Sequence, residues 1–295
     1  MARSKTIRLF LMDGDPNGRI KCSLTNWTGV VYKVPRIAFD RCHDMSILKQ
    51  SGVYFLFGTD ENDNAVVYIG QASSRRNGQG LLYRIQEPHN SISYWTEAVM
   101  VTTSNNSFGP TEISYLENRF CNMAKEANRY VVKNGNEPNP GNITEEIESE
   151  LEEFIDYAKI IMGVLGHKVF EAYIASSDSQ QSDTDDEPLL HMEYHGACAR
   201  GKRTSEGFVV LKGSTINPNL TRSCPENVIK ARKVYADKID ANHTLTADIL
   251  LTSPSAAAGY VGGASLSGNV LWKDEYGKML GELEKNECTD QPPCD

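Results

Sequence analysis

Residues 52–70 read Gly52-Val53-Tyr54-Phe55-Leu56-Phe57-Gly58-Thr59-Asp60-Glu61-Asn62-Asp63-Asn64-Ala65-Val66-Val67-Tyr68-Ile69-Gly70, and the fold turns on them. Two short apolar, aromatic-rich runs flank a polar segment, Gly58 to Ala65. Aromatic and β-branched side chains suit a pleated sheet, and turn-forming residues between two such runs make a hairpin. In that hairpin Tyr54 and Tyr68 occupy matching places on paired strands and project from one sheet edge.

Working outward, Ile7, Leu9 and Leu11 alternate as a strand does, the cluster Asp13 to Gly18 is a turn, and Ile20 onward through Val30-Val31-Tyr32 reads as a second strand pair. Arg36 to Lys49 reads as helical. Downstream, Leu81 to Gln86 is a short helix and Trp95 to Thr102 a third strand. Pro110 then opens a helix whose apolar stripe is Ile113, Leu116, Phe120, Met123 and Ala127, at spacings of three and four. Asn134-Gly135-Asn136-Glu137-Pro138 stops it.

Thr144 followed by Glu145 and Glu146 caps the next helix, because the helix dipole favours carboxylates in the first turn. Ile147, Leu151, Phe154, Ala158, Ile161 and Leu165 form a seam, either packed on its own domain or open to a second copy, so a homo-oligomer through 147–165 is an expectation. Ser176 to Glu187 holds no apolar residue and reads as a disordered linker closed by Pro188. Leu190, Met192 and Tyr194 alternate, Phe208 to Leu211 is strand-like, and a helix runs from Pro225 to Ile239. Val270-Leu271-Trp272 with the turn Asp274 to Gly277 closes as a hairpin, and the last dozen residues form a polar tail. Lys230, Arg232 and Lys233 share one helix and read as a solvated face, with DNA backbone as the other reading.

The chain of 295 residues carries 30 basic and 39 acidic side chains. Residues 1–143 are net +3, 144–200 net −11 and 201–295 net −1, so the acidity is confined to the middle and a nucleic-acid partner is allowed without being implied. No stretch is apolar enough to cross a membrane, and the default expectation is a soluble, cytoplasmic protein. Seven scattered cysteines with no C-x-x-C pair argue against a disulfide framework and a structural zinc; ordinary reduced thiols are expected.

Gly52-Val53-Tyr54 followed by Tyr68-Ile69-Gly70 resembles the GIY-YIG endonuclease family over roughly residues 50–142. The resemblance continues with Arg84 in Leu81-Leu82-Tyr83-Arg84, His89, Glu117 in Tyr115-Leu116-Glu117-Asn118, and Asn136. Gly207 to Ser214 and Ser253 to Ala258 look like the small domain of unknown function often appended to such nucleases. The resemblance implies an α+β protein. The expected architecture is a small central antiparallel sheet flanked by helices, followed, on the residues' own pattern, by a long acidic helix, a disordered linker and a second small α+β domain. The expected division is a β-rich extension (1–49), a nuclease-like domain (50–142), an acidic helix (143–175), a linker (176–188), a C-terminal α+β domain (189–284) and a tail (285–295).

The family's chemistry would be hydrolysis of a DNA phosphodiester with one Mg²⁺ or Mn²⁺. Tyr68, beside Tyr54, would serve as general base or orient the water, although a phenol takes up a proton at neutral pH only if a cation lowers its pKa. Arg84 would hold the phosphate, since guanidinium suits bidentate recognition, with Arg75 or Arg76 in the long 71–80 loop as alternatives. Glu117 would hold the metal, although helical periodicity alone puts Glu112 at the opposite border of the same stripe. His89 and Asn136 complete the set, with Asn134 and Asn139 competing for the role of Asn136. Two rivals stand beside this reading: a non-catalytic module that binds nucleic acid or protein on the same scaffold, and a nuclease directed at RNA.

Overall fold

The computed structural model describes residues 4–61, 64–74, 80–87, 95–135, 138–173 and 187–289, the side chains of the last helix up to 285. Two compact units divide at 172/173.

The first unit opens with β1 (Ile7–Leu11), β2 (Ile20–Leu24) and β3 (Gly29–Pro35), continues through two 3-10 turns and β4 (Gly52–Thr59), β5 (Ala65–Ala72), α1 (Leu81–Gln86), β6 (Glu97–Thr103), α2 (Pro110–Ala127) and β7 (Val131–Val132), and ends with α3 (Glu145–Val164). All seven strands join one sheet in the order β1-β2-β3-β6-β4-β5-β7, antiparallel except for β5 against β7. Residues 1–49 therefore supply three strands of the sheet that the central hairpin builds.

Strand alternation sorts the core into two layers. Val53, Phe55 and Phe57 of β4 and Val67 and Ile69 of β5 pack under α2 and α3, against Ile113, Leu116, Phe120, Leu151, Phe154, Ile155 and Ile161. Tyr54, Leu56 and Val66 face the other way, towards Leu81, Leu82 and Ile85 of α1 and Phe39, Cys42 and Leu48 of the 3-10 turns. Burying a side chain of the Leu or Phe class contributes about 1.5–3 kcal/mol, so both layers stabilise the sheet. The seam of α3 is occupied inside its own unit, where Leu151, Phe154, Ala158 and Ile161 are buried.

Arg36 to Lys49 is not one helix. It forms 3-10 turns at Arg36–Cys42 and Ser46–Lys49, which press Ala38, Phe39, Cys42 and Leu48 onto the sheet. Met45 takes extended backbone between the two turns, so no single helix runs through the segment.

The second unit contains β8 (Leu190–Tyr194), β9 (Ala197–Thr204), β10 (Gly207–Val210), α4 (Glu226–Val234), β11 (Ile249–Leu251), α5 (Pro254–Gly262), α6 (Gly268–Leu271) and α7 (Leu280–Thr289). The four strands lie antiparallel in the order β11-β10-β9-β8, and α5 covers one face with Ala257, Ala258, Tyr260 and Val261. Three expectations are corrected. The Pro225 helix ends at Val234 and passes into a 3-10 turn at Ala236–Lys238. In the closing hairpin the turn Asp274 to Gly277 is present, with Lys273 bridged antiparallel to Met279 and Leu280 N–H bonded to the Trp272 carbonyl at 2.9 Å, but Val270 and Leu271 belong to the short α6, fixed where the Trp272 indole N–H donates to the Pro254 carbonyl at 3.0 Å. The expected tail is helical as far as Thr289, because Leu280 is buried and anchors α7.

Of the expected linker, 187 and 188 are described, and Glu187 pairs with Arg203 at 2.7 Å; the rest lies outside the described residues. Among the described residues no helix is long and apolar enough to cross a membrane. Cys22, Cys42, Cys121, Cys198 and Cys224 are free thiols.

Candidate active site

The hairpin pairs Tyr54 with Gly70 and Leu56 with Tyr68, which puts both tyrosines on the α1 face, one step apart on neighbouring strands. Their ring centroids are 6.2 Å apart. Two glycines permit this. A Cβ on Gly70 would stand 2.5 Å from the Cζ and Oη of Tyr54, so the phenol crosses β5 at the one position without a side chain. A Cβ on Gly52 would meet the Val101 carbonyl of β6 at 2.4 Å. The motif's glycines are thus set by close approach, independently of any chemistry.

Helix α1 starts against the chain before β4. Leu81 N–H bonds the Gln50 carbonyl at 3.3 Å, and a Cβ on Gly80 would collide with the Lys49 and Gln50 carbonyls. That anchor brings Arg84 to the tyrosine pair, where its charge acts on both phenols. Its guanidinium also pairs with Glu87, and the two side chains are 40% and 30% exposed. Arg75 and Arg76 lie outside the described residues.

Glu117 comes from α2, on the opposite layer, and reaches the group around the end of β5. Beyond Val66 and Val67, which pair with β7, that end of β5 has no further strand beside it among the described residues. Burial pushes the Glu117 carboxyl above the usual carboxylate range, while polar groups of Gln71 and the charge of Arg84 pull it back. Glu112, the competing carboxylate, is folded beside Gly109 at the start of α2, where a Cβ would lie 2.7 Å from its oxygen; it belongs to the helix terminus.

The phenols are both held protonated. Burial raises Tyr54 far above the ordinary tyrosine value. Burial also raises Tyr68, although Arg84 opposes it. In this state neither is a base at neutral pH.

His89 and Asn136 lie outside the described residues. Among the described residues the asparagine that meets the hairpin is Asn134: its side-chain carbonyl accepts from Ile69 N–H at 3.1 Å and its amide donates to the Ile69 carbonyl at 2.6 Å. A side chain so placed imitates a neighbouring strand and fixes the backbone between Tyr68 and Gly70. Asn139 instead accepts from Gly141 N–H in a local turn. Two further polar groups escaped the sequence reading. Gln71 donates to the Ser114 hydroxyl of α2 at 3.0 Å, tying the strand end to the helix that carries Glu117. Gln71 follows Gly70 directly, and alternation from Val67 and Ile69 already aims it at α2.

Among the described residues no group of three or more His, Cys, Asp or Glu could hold a metal ion. Glu117 is a single hard oxygen ligand, which fits a cation of the Mg²⁺ type that keeps most of its shell as water and substrate oxygen, and does not fit zinc.

In the second unit Arg232 is no part of a solvated face. It is half-buried and donates to the carbonyls of Tyr260 at 2.6 and 2.9 Å, Asn217 at 2.6 Å and Val261 at 3.2 Å, fastening α4 to α5. No curated protein and no solved structure matches the chain. Residues 190–284 match the family model described as a domain of unknown function, DUF4357.

Proposed function

We propose that the first unit is a metal-dependent endonuclease of the GIY-YIG type that hydrolyses phosphodiester bonds in DNA. One observation carries the reading: two tyrosines, an arginine and a half-buried glutamate from two strands and two helices converge at the end of β5, each within electrostatic reach of the others. Packing alone does not require a carboxylate to be drawn towards an arginine and two phenols.

In this reading Arg84 exchanges its pairing with Glu87 for a phosphate oxygen and opposes the charge that develops there. Glu117 would hold a divalent cation, which when bound supplies further positive charge at the phosphate. The Tyr68 hydroxyl orients the attacking water; it could take that water's proton only as the phenolate, after giving its own proton to solvent, which needs added positive charge to offset its burial. Tyr54 and Asn134 hold Tyr68 in register. Attack by water then needs positioning and charge stabilisation, with no covalent intermediate. The DUF4357 match at residues 190–284 agrees with the resemblance without testing it.

The test is nicking of supercoiled plasmid and branched oligonucleotides by the full chain and by Glu117→Ala, with and without Mg²⁺ or Mn²⁺. Metal-dependent nicking that the variant loses supports the proposal. Cleavage of RNA alone would replace the substrate, and a folded wild type that binds nucleic acid but cuts none would leave the binding module.

A further inference from the structure

Strand β1 closes one side of the seven-stranded sheet, and no strand lies beyond it among the described residues. Thr25 N–H bonds the Thr6 carbonyl at 3.3 Å and Met12 N–H the Arg19 carbonyl at 2.9 Å. By the alternation of an antiparallel ladder, even-numbered residues therefore turn their main-chain groups to β2, while Ile7, Leu9 and Leu11 turn theirs outward. The Leu11 carbonyl accepts from Gly14 N–H at 3.1 Å. The N–H groups of all three residues and the carbonyls of Ile7 and Leu9 face out.

The side chains along this edge are apolar and open. Leu9 is 50% exposed, Phe10 63% and Leu11 38%, so large apolar groups stand on both faces of one strand. Sheets ordinarily blunt such an edge with a proline, an inward charge or a bulge. β1 contains no proline, its ladder to β2 is unbroken, and its one charged residue is Arg8.

We propose that β1 pairs antiparallel with β1 of a second copy of this chain about a two-fold axis at Leu9, joining two sheets edge to edge. Self-complementarity names the occupant. Centred on Leu9, the Leu9 N–H and carbonyl of each copy meet those of the other, and Leu11 N–H meets the Ile7 carbonyl twice. Arg8 then stands opposite the exposed ring of Phe10 on both sides of the axis, a cation–π arrangement. Lys5 falls opposite Asp13, of opposite charge, although Lys5 already lies 4.3 Å over the Tyr157 ring and Asp13 is bonded to Arg19 at 2.8 Å. Neighbouring registers lose this match. Centring on Arg8 opposes two guanidinium groups, and centring on Phe10 sets Asp13 against Ile7. The pairing is independent of the nuclease reading.

The experiment is sedimentation of the full chain from micromolar to hundreds of micromolar, with amide hydrogen exchange measured across the same range. A reversible monomer–dimer equilibrium is expected, with protection at Leu9 and Leu11 rising with concentration. Leu9→Pro removes an outward N–H and leaves the β1–β2 bonds, which come from even-numbered residues, so it gives a monomer with the wild-type melting curve. Phe10→Lys serves as a second variant should Leu9→Pro fray the strand, and it also gives a monomer. A chain that stays monomeric throughout overturns the proposal. So does a dimer that survives both variants, or Leu9 and Leu11 amides protected equally at every concentration, which would mean that the edge is covered within the chain.

Discussion

Tyr54 lies across Gly70 so closely that the smallest side chain at 70 would overlap its phenol, with a Cβ 2.5 Å from Cζ and Oη. Gly70→Ala must displace the ring or spread the hairpin, and overpacking of this kind costs about 1–3 kcal/mol. The double variant with Tyr54→Ala should recover part of that loss. Denaturant titration of the four proteins in a double-mutant cycle measures the coupling, and additive effects would mean that the two residues do not touch.

Glu117 is expected to oppose stability while serving activity. Its carboxyl is raised by burial, so the stability it contributes is fully present below the ordinary carboxylate pKa and is lost as pH rises through its raised value. At pH 7 the buried anion is a cost. Glu117→Gln should raise the melting temperature there, lose the advantage in acid, and abolish nicking. A variant that melts lower at pH 7 would refute the electrostatic reading of this side chain.

Asn134 carries two hydrogen bonds to Ile69, at 3.1 and 2.6 Å. Asn134→Ala leaves both main-chain groups to water or unsatisfied, at about 0.5–1.5 kcal/mol for each bond. The expected signature is local: faster exchange of the Ile69 amide, ahead of any change at Phe55 or Leu56, together with lower nicking at an unchanged fold.

Arg84 and Glu87 are partly exposed, and such a pair contributes roughly 0–1 kcal/mol. Glu87→Gln should therefore change the melting temperature little, while freeing the guanidinium for phosphate and lowering KM for DNA. Arg84→Lys should lose nearly as much kcat/KM as Arg84→Ala, because an ammonium cannot make the bidentate contact. Rescue of activity by lysine would show that only charge is needed.

The periodic parts of this chain were legible. The hairpin, the α2 stripe and the α3 seam all follow from spacings of two and of three to four, and each is where its spacing put it. Strands that bury small residues, or very few residues, were missed. β9 alternates small and charged residues, from Ala197 to Thr204, and β11 has only three residues, so neither presents a recognisable run. Val270 to Trp272 has the composition of a strand, but the Trp272 indole finds its acceptor in Pro254 only through a helical turn. At the candidate site it was the resemblance, carried by the paired Gly52-Val53-Tyr54 and Tyr68-Ile69-Gly70 runs, that pointed to Tyr54, Tyr68, Arg84 and Glu117. Periodicity could not tell Glu117 from Glu112, since both flank the same stripe, and only the resemblance favoured Glu117. Arg232 misled for a related reason: a basic residue on an amphipathic helix reads as solvent-facing unless the carbonyls it will meet are known.

Helix α2 is held on its flank as well as its apolar stripe. Arg119 grips Glu152 of α3 through two bonds of 2.6 and 2.9 Å, and the Tyr115 hydroxyl donates to Glu152 at 2.7 Å and Glu148 at 3.1 Å. Interdigitated apolar packing resists rolling of a helix about its axis, and directional hydrogen bonds add to that resistance. Directional bonds at residues 115 and 119, on either side of Glu117, act as a torsional lock. Part of the negative charge concentrated in the middle of the chain thus sets the angle at which one carboxylate meets the hairpin. Because Arg119 and Glu152 are each more than a third exposed, that lock is open to screening, and dissolved salt becomes a handle on the aim of a residue it does not itself reach.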